Sequence, residues 1–275
     1  MNHPTKSLAG AHDSAEAPVS SAHRRSSALA TYALRLGDDA LVLSHRLGEW
    51  VTNAPQLEED VALGNIGLDL LGQARTLLSY AGEVEGAGRT EDDLAYLRTD
   101  REYLNVHLVE RPNEDFAVSM ARQLFFSTYQ LALHEALHTS RDETLAGVAG
   151  KAVKEVDYHR DHATQWVLRL GDGTEESHRR MQAGVERIWP YVDELFGTDE
   201  LEQSLVADGV AVDSASLRAG WDAYVDSVLA EATLTRPEGL RTPPGGGRRG
   251  VHTEALGFLL AEMQSLHRAH PGATW

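Results

Sequence analysis

Four long stretches of this 275-residue chain carry apolar residues at helical spacing, and none carries the strict alternation of a half-buried strand. The first covers residues 29–54 and stops at Asn53-Ala54-Pro55. The second covers 57–82, with Leu57, Val61, Gly64, Leu68, Leu71, Arg75 and Leu78 spaced alternately by four and three. The third follows the turn Arg111-Pro112-Asn113 and runs to about residue 140. The fourth covers 142–170 and ends at Gly171-Asp172-Gly173. Its inner stripe is Ala149, Val153, Val156, Ala163, Val167 and Leu170, with His159 on the same side. Further helices are expected over 175–196, 214–234 and 252–270.

Stretches of ~25 residues reach close to ~40 Å at a rise of ~1.5 Å per residue. Short connections between them favour antiparallel neighbours. The expected fold is therefore all-α: an antiparallel four-helix bundle with additional C-terminal helices, long enough to enclose a site at its middle. It forms a single domain over residues 28–275, behind a disordered tail over 1–27. In the second helix Gly64, Gly67 and Gly72 each weaken helix formation by roughly 1 kcal/mol, which is expected to reflect close approach of a neighbouring helix.

Composition removes several function classes. The net charge of −17 opposes a nucleic-acid partner and a polybasic membrane anchor. With no cysteine, there is no disulfide framework, thiolate metal site or cysteine nucleophile. No apolar run approaches the ~20 residues of a membrane span, and the first 27 residues lack the apolar core of a secretory signal. A soluble, acidic, cytoplasmic protein is expected. The tail histidines His3, His12 and His23 are a conceivable metal-binding cluster. Within an acidic chain, Arg236, Arg241, Arg248 and Arg249 form the most basic segment, read as a solvated loop or as a docking surface for an acidic partner or CoA phosphates.

His134-Glu135-Ala136-Leu137-His138 matches the zinc-peptidase pattern, in which two histidines one turn apart bind zinc and the glutamate acts as base. The helical context is right, and Glu155 is a conceivable third ligand. No strand is visible to hold a peptide substrate, so the competing reading is a helix C-terminus where histidines favour the dipole. Glu175-Glu176-Ser177-His178 contains Glu-x-x-His but reads as an exposed first turn.

The run Leu36-Gly37-Asp38-Asp39-Ala40-Leu41-Val42-Leu43-Ser44-His45-Arg46-Leu47-Gly48-Glu49-Trp50 is followed by Ala54-Pro55 and by Asn65-Ile66-Gly67-Leu68-Asp69-Leu70-Leu71-Gly72-Gln73-Ala74-Arg75. Glu110-Arg111-Pro112-Asn113, Lys154-Glu155 with Tyr158-His159, Gly209-Val210-Ala211-Val212-Asp213 and His252-Thr253-Glu254 come next. Leu260-Ala261-Glu262-Met263-Gln264 and Pro271-Gly272-Ala273-Thr274-Trp275 close the series. In this order the motifs resemble those of the C subunits of bacterial ring-1,2-phenylacetyl-CoA epoxidases, over nearly everything after residue 27.

The resemblance implies a ferritin-like fold and a non-catalytic, structural subunit of a multicomponent di-iron monooxygenase of aerobic phenylacetate catabolism. In that system a catalytic A subunit of similar fold holds the di-iron centre. A small B subunit and a reductase with flavin and iron–sulfur groups complete an assembly of homo- and hetero-oligomeric contacts, and no cofactor is expected in this chain. Set against the catalytic sister, the first-helix ligand position falls at Ala40. The two Glu-x-x-His pairs fall at Leu70 with Gln73 and at Val156 with His159, and the third-helix carboxylate falls near Ser127. One imidazole cannot hold two ferrous ions.

Asp69, Glu155 and His159 are expected to form an interior polar network, paired with one another or with Arg75. Breaking such a buried pair would cost ~3–5 kcal/mol; a CoA-binding role is the alternative. Two further enzyme readings remain open: a di-iron oxygenase or ferroxidase built from Asp39, Glu49, Asp69, Glu155 and His159, and the peptidase at His134, Glu135 and His138. The helix over 252–270 is expected to pack on its own bundle or on another subunit.

Overall fold

A computed structural model of the chain describes residues 21–240 and 245–273. The four long stretches become α1 (Ser21–Gly48), α2 (Leu57–Glu85), α4 (Phe116–Leu137) and α5 (Glu143–Gly171), with the one-turn α3 (His107–Glu110) ahead of α4. Behind them lie α6 (Glu175–Ile188), α7 (Glu200–Ala207), α8 (Arg218–Glu231) and α9 (Glu254–Ala269). Every regular element among the described residues is helical.

The helix ends follow local chemistry. Acidic Glu58, Glu59 and Asp60 sit in the first turn of α2, where the helix dipole favours them. The carboxylates of Asp115 and Asp142 accept the backbone N–H of Val118 and Leu145 at 2.9 Å, capping α4 and α5. Gly86 ends α2 at φ 73°, the left-handed conformation that glycine adopts without penalty, and its N–H reaches the Gly82 carbonyl.

α1 and α2 form an antiparallel hairpin. Ser26 Oγ donates to the Val84 carbonyl near one end, while Gly67 packs beside Ser44 and Leu47 near the other. α4 and α5 form the second hairpin, and Gln130 on α4 meets Gln73 on α2 across the middle. One large apolar core runs through the bundle and out to Met181, Val185, Trp221, Val225 and Leu256 on the later helices. α9 thus packs on its own chain through Ala255, Leu256, Leu259, Leu260 and Gln264.

Several expectations need correction. α1 begins at Ser21, inside the stretch assigned to the tail, and ends at Gly48 rather than residue 54; a hydrogen-bonded turn carries Trp50 to Ala54. His3 and His12 lie outside the described residues. The expected helix over 175–196 breaks where Pro190 lacks an N–H, and 3-10 turns follow. α7 and the turns between residues 93 and 102 fall in segments to which periodicity assigns no helix. In α2 the buried face is Leu63, Ile66, Gly67, Leu70, Gln73, Ala74, Leu77, Leu78 and Ala81, so of the apolar residues at four-and-three spacing Leu78 is buried while Leu57, Val61 and Leu68 point to solvent.

Two helix glycines should respond in opposite directions to alanine. A Cβ at Gly82 would lie 2.2 Å from the Arg89 carbonyl oxygen, whereas one at Gly147 meets nothing within 4 Å. Gly82→Ala should destabilise by roughly 1–3 kcal/mol, and Gly147→Ala should stabilise by up to about 1 kcal/mol. Denaturant titration of the two variants checks both signs.

Candidate functional site

The positions that the resemblance sets against a di-iron ligand set all lie inside the bundle. Ala40, Leu70 and Val156 have no exposed surface, and His159, Ser127 and Gln73 are 1%, 2% and 5% exposed. Ala40, Leu70 and Val156 offer only carbon, and Ser127 turns its hydroxyl onto the Gln123 carbonyl at 2.6 Å.

Hydrogen-bonded rungs cross this level. Gln130 Nε2 donates to Gln73 Oε1 (3.1 Å), and Gln73 Nε2 donates to Glu155 Oε2 (3.0 Å), linking α4, α2 and α5. On the same side of α5, His159 Nε2 lies 3.0 Å from Asp69 Oδ2, and His162 Nε2 lies 2.7 Å from Glu59 Oε2. Burial holds the His159 pKa below the ordinary imidazole value, against the opposing pull of Asp69 and Glu155. His159 is therefore neutral near pH 7 and, because a carboxylate can only accept, donates its Nε2 proton to Asp69. These donors do not fit a carboxylate-bridged iron pair, which needs several carboxylates and two imidazoles converging on one point.

Asp69 and Glu155 are only partly interior: their side chains are 36% and 21% exposed. Arg75 does not join them and instead pairs with Glu91 at 2.9 Å. The alternative ligand set is also dispersed. Asp39 accepts from Val106 N and Arg248, while Glu49 binds Arg46 and Asn113.

The zinc-peptidase residues diverge. His134 is buried, with neither ring nitrogen bonded to another group, and burial lowers its pKa to about 4, helped by the nearby His159. Glu135 and His138 are exposed, and the His138 ring lies over Gly150 on α5. The side chains of the motif thus do not converge on one ion.

The described residues do bring three metal-ligating side chains together elsewhere: His107, Glu110 and His252. Their hydrogen bonds show what occupies the cluster. His252 Nδ1 lies 2.7 Å from Glu110 Oε2 and Nε2 lies 2.7 Å from the Tyr103 carbonyl; both partners are acceptors, so the ring carries both protons. Glu110 also accepts from Asn105, Thr253 N and Thr253 Oγ. His107 Nε2 contacts the Val251 carbonyl at 2.6 Å. With both Glu110 oxygens engaged, an imidazolium–carboxylate pair stands where a cation would have to bind.

A family model described as "Phenylacetic acid catabolic protein" matches residues 2–275. The chain is also 50% identical over 249 residues to the C subunit of the 1,2-phenylacetyl-CoA epoxidase of Escherichia coli (strain K12), covering 90% of this chain and 99% of that protein. The chain belongs to the phenylacetic acid catabolic protein family. Glu110 and His252 lie within motifs that carried the family resemblance, but no spacing rule gives them a shared role, because 142 residues separate them.

The basic segment also departs from expectation. Arg248 points inward, binding Asp39 Oδ2 (2.7 Å) and the carbonyls of Arg35 and Leu104, so it is not a free docking residue. Arg249 is exposed and touches the Gly245 carbonyl, Arg236 pairs with Asp222 and Asp226, and Arg241 lies outside the described residues. Beside Arg248 opens a pocket of about 210 Å³ whose walls include Arg35, Glu194, Asp199 and Glu202. It is lined by both charges rather than by a cationic fork.

Because Asp69 is a third exposed, its bond to His159 is screened. Asp69→Asn should cost less than ~1 kcal/mol, not the several expected of a fully buried pair; a fall in Tm beyond ~4 °C would contradict this.

The His252–Glu110 pair should behave otherwise, with side chains 2% and 0% exposed. Burial opposes both charges, but the Glu110 bond raises His252 above its ordinary value, and the His252 and Thr253 bonds bring Glu110 below its own. The histidine contribution is complete below the unfolded pKa of ~6.5 and is lost as pH rises through the higher folded value. The carboxylate contribution is complete above ~4.5 and is lost as pH falls through the lower folded value. His252→Gln should cost ~3–5 kcal/mol at pH 6 and flatten the decline in stability between pH 6 and 9, measured by urea titration across that range.

Proposed function

We propose that this chain is a non-catalytic, structural subunit of a multicomponent di-iron monooxygenase that epoxidises phenylacetyl-CoA in phenylacetate catabolism. The observation that carries this reading is the bundle level where Ala40, Leu70 and Val156 present hydrocarbon and Gln73 and Gln130 bond to one another. A helical bundle with that interior keeps the shape of an oxygenase subunit without the ligands for iron. Oxidation then belongs to an A-type sister subunit of the same ferritin-like fold. Electrons would come from a reductase with flavin and iron–sulfur groups, with a B subunit in the assembly.

The relative's name, which makes it one subunit of a phenylacetyl-CoA epoxidase, supports both the pathway and the need for partners. No described helix is long and apolar enough to cross a membrane, and we assign the assembly to the cytoplasm. The reading leaves no role for bound zinc or for a ferroxidase centre in this chain.

The test is anaerobic loading of the purified chain with ferrous iron, followed by metal analysis and optical spectra in oxygen. Well below one iron per chain and no oxo-bridged absorption are expected, with epoxidation of phenylacetyl-CoA appearing only when an A-type subunit is co-expressed. Two tightly held irons per chain, or turnover by this chain alone, would overturn the proposal.

A further inference from the structure

Four arginines are buried among the described residues, and three of them meet a carboxylate. Arg35 pairs with Glu202, Arg46 with Glu49 and Arg98 with Asp38. Arg122, near the start of α4, has no exposed surface, and its contacts among the described residues are both neutral. Nη1 donates to the Arg111 carbonyl and Nη2 to Asn113 Oδ1, each at 2.6 Å. Nε is buried and bonded to no group among the described residues.

The charges around Arg122 deepen the imbalance. Asn113 Nδ2 donates to the Arg46 carbonyl (2.7 Å) and to Glu49 Oε2 (2.9 Å), so one amide ties Arg122 to the Arg46–Glu49 pair. Two guanidinium groups thus share one carboxylate. The Glu49 side chain is 34% exposed, and water weakens its pull on both. Burial and the neighbouring Arg46 bring the Arg122 pKa down to about 9, against the opposing effect of Glu49. The group still carries its proton at pH 7. A buried charge held only by neutral groups is costly in a protein interior.

We infer that Arg122 holds a small monovalent anion of the halide class at its Nε edge, beneath the Arg111-Pro112-Asn113 turn. The edge formed by Nε and one Nη is the fork with which a guanidinium takes anions. Both Nη atoms already donate, to Arg111 and Asn113, so Nε is the donor left for a guest, and the guest is small. A neutral acceptor would satisfy the N–H and leave the charge uncompensated; an anion does both. The net charge of −17 opposes any anion, but at physiological salt that repulsion is screened beyond ~8 Å, while the guanidinium acts at contact. These opposing effects fit a dissociation constant of roughly tens of millimolar.

The anion would brace the turn between α1 and α4. Trp50 Nε1 donates to Ser119 Oγ on the same side at 3.1 Å, and Ser119 Oγ reaches the Asn113 side chain. Glu110, which holds His252, lies one residue before the turn. The role is structural, and it stands whether or not the proposed function does.

Thermal unfolding of the full chain tests the inference, with chloride replaced by isethionate at a constant ionic strength of about 0.15 M. Isethionate is too large for the site. The wild type should melt roughly 2–4 °C higher in chloride, the shift given by a ligand at about five times its Kd. Bromide should replace chloride. Arg122→Met, a side chain of similar length without charge, should melt at the same temperature in both salts. Glu49→Gln, which removes the shared carboxylate, should widen the difference, and it keeps the test decisive should Arg122→Met not fold. Wild-type crystals soaked in bromide should show an anomalous peak within hydrogen-bond distance of Arg122 Nε. Equal wild-type melting in the two salts, a difference that survives in Arg122→Met or fails to widen in Glu49→Gln, or bromide bound only elsewhere would overturn the inference.

Discussion

Charges buried along α1 hold this fold together beyond its bundle. Arg35, Asp38, Asp39 and Arg46 are each less than a tenth exposed, and charges so placed cost several kcal/mol unless their partners are in position. Those partners come from segments that no helix repeat would dock. Asp38 takes both arms of Arg98 and the Leu104 N–H; Asp39 takes Val106 N and Arg248; Arg35 binds Asp199 and Glu202; Arg46 donates to the carbonyls of Glu110 and Ala255. The loops around residues 98–106 and 246–255 are thereby fixed against the middle of α1. His252 locks the same two loops to each other through the Tyr103 carbonyl and ties α3 to them through Glu110.

This network gives the protein an interior with two distinct zones. Between α2, α4 and α5, the level of Leu70, Gln73 and Val156 is closed by hydrocarbon and by amide–carboxylate rungs. Beyond α3, the polar interior is dense and both oxygens of Glu110 are engaged. In both zones the polar side chains are engaged with one another across the helices and loops that they join.

Much of this is legible in the sequence. The helical period places the ends of α2, α4 and α5 to within about three residues, as helix ends fray and cap locally, but displaces α1 by eight residues at its start and six at its end. The stripe of α5 is readable, since that helix has one apolar face. Which residues of α2 face the core is not, because apolar residues lie on both its sides, Leu63, Ile66 and Leu70 inward and Leu57, Val61 and Leu68 outward. Arg248 escapes for a related reason: a basic segment rich in glycine looks solvated by composition, and nothing local says that one arginine turns inward to Asp39. The Glu110–His252 pair joins residues that only the folded chain makes neighbours.

By itself the sequence determined the all-α class and the existence of the four long helices, because periodicity is a local property. The tertiary structure alone decided which face of α2 is buried, which arginines become internal struts and where a histidine stays protonated. Those outcomes depend on burial and on partners distant along the chain, which set the energy of a charge or an apolar face and leave no mark at a fixed spacing.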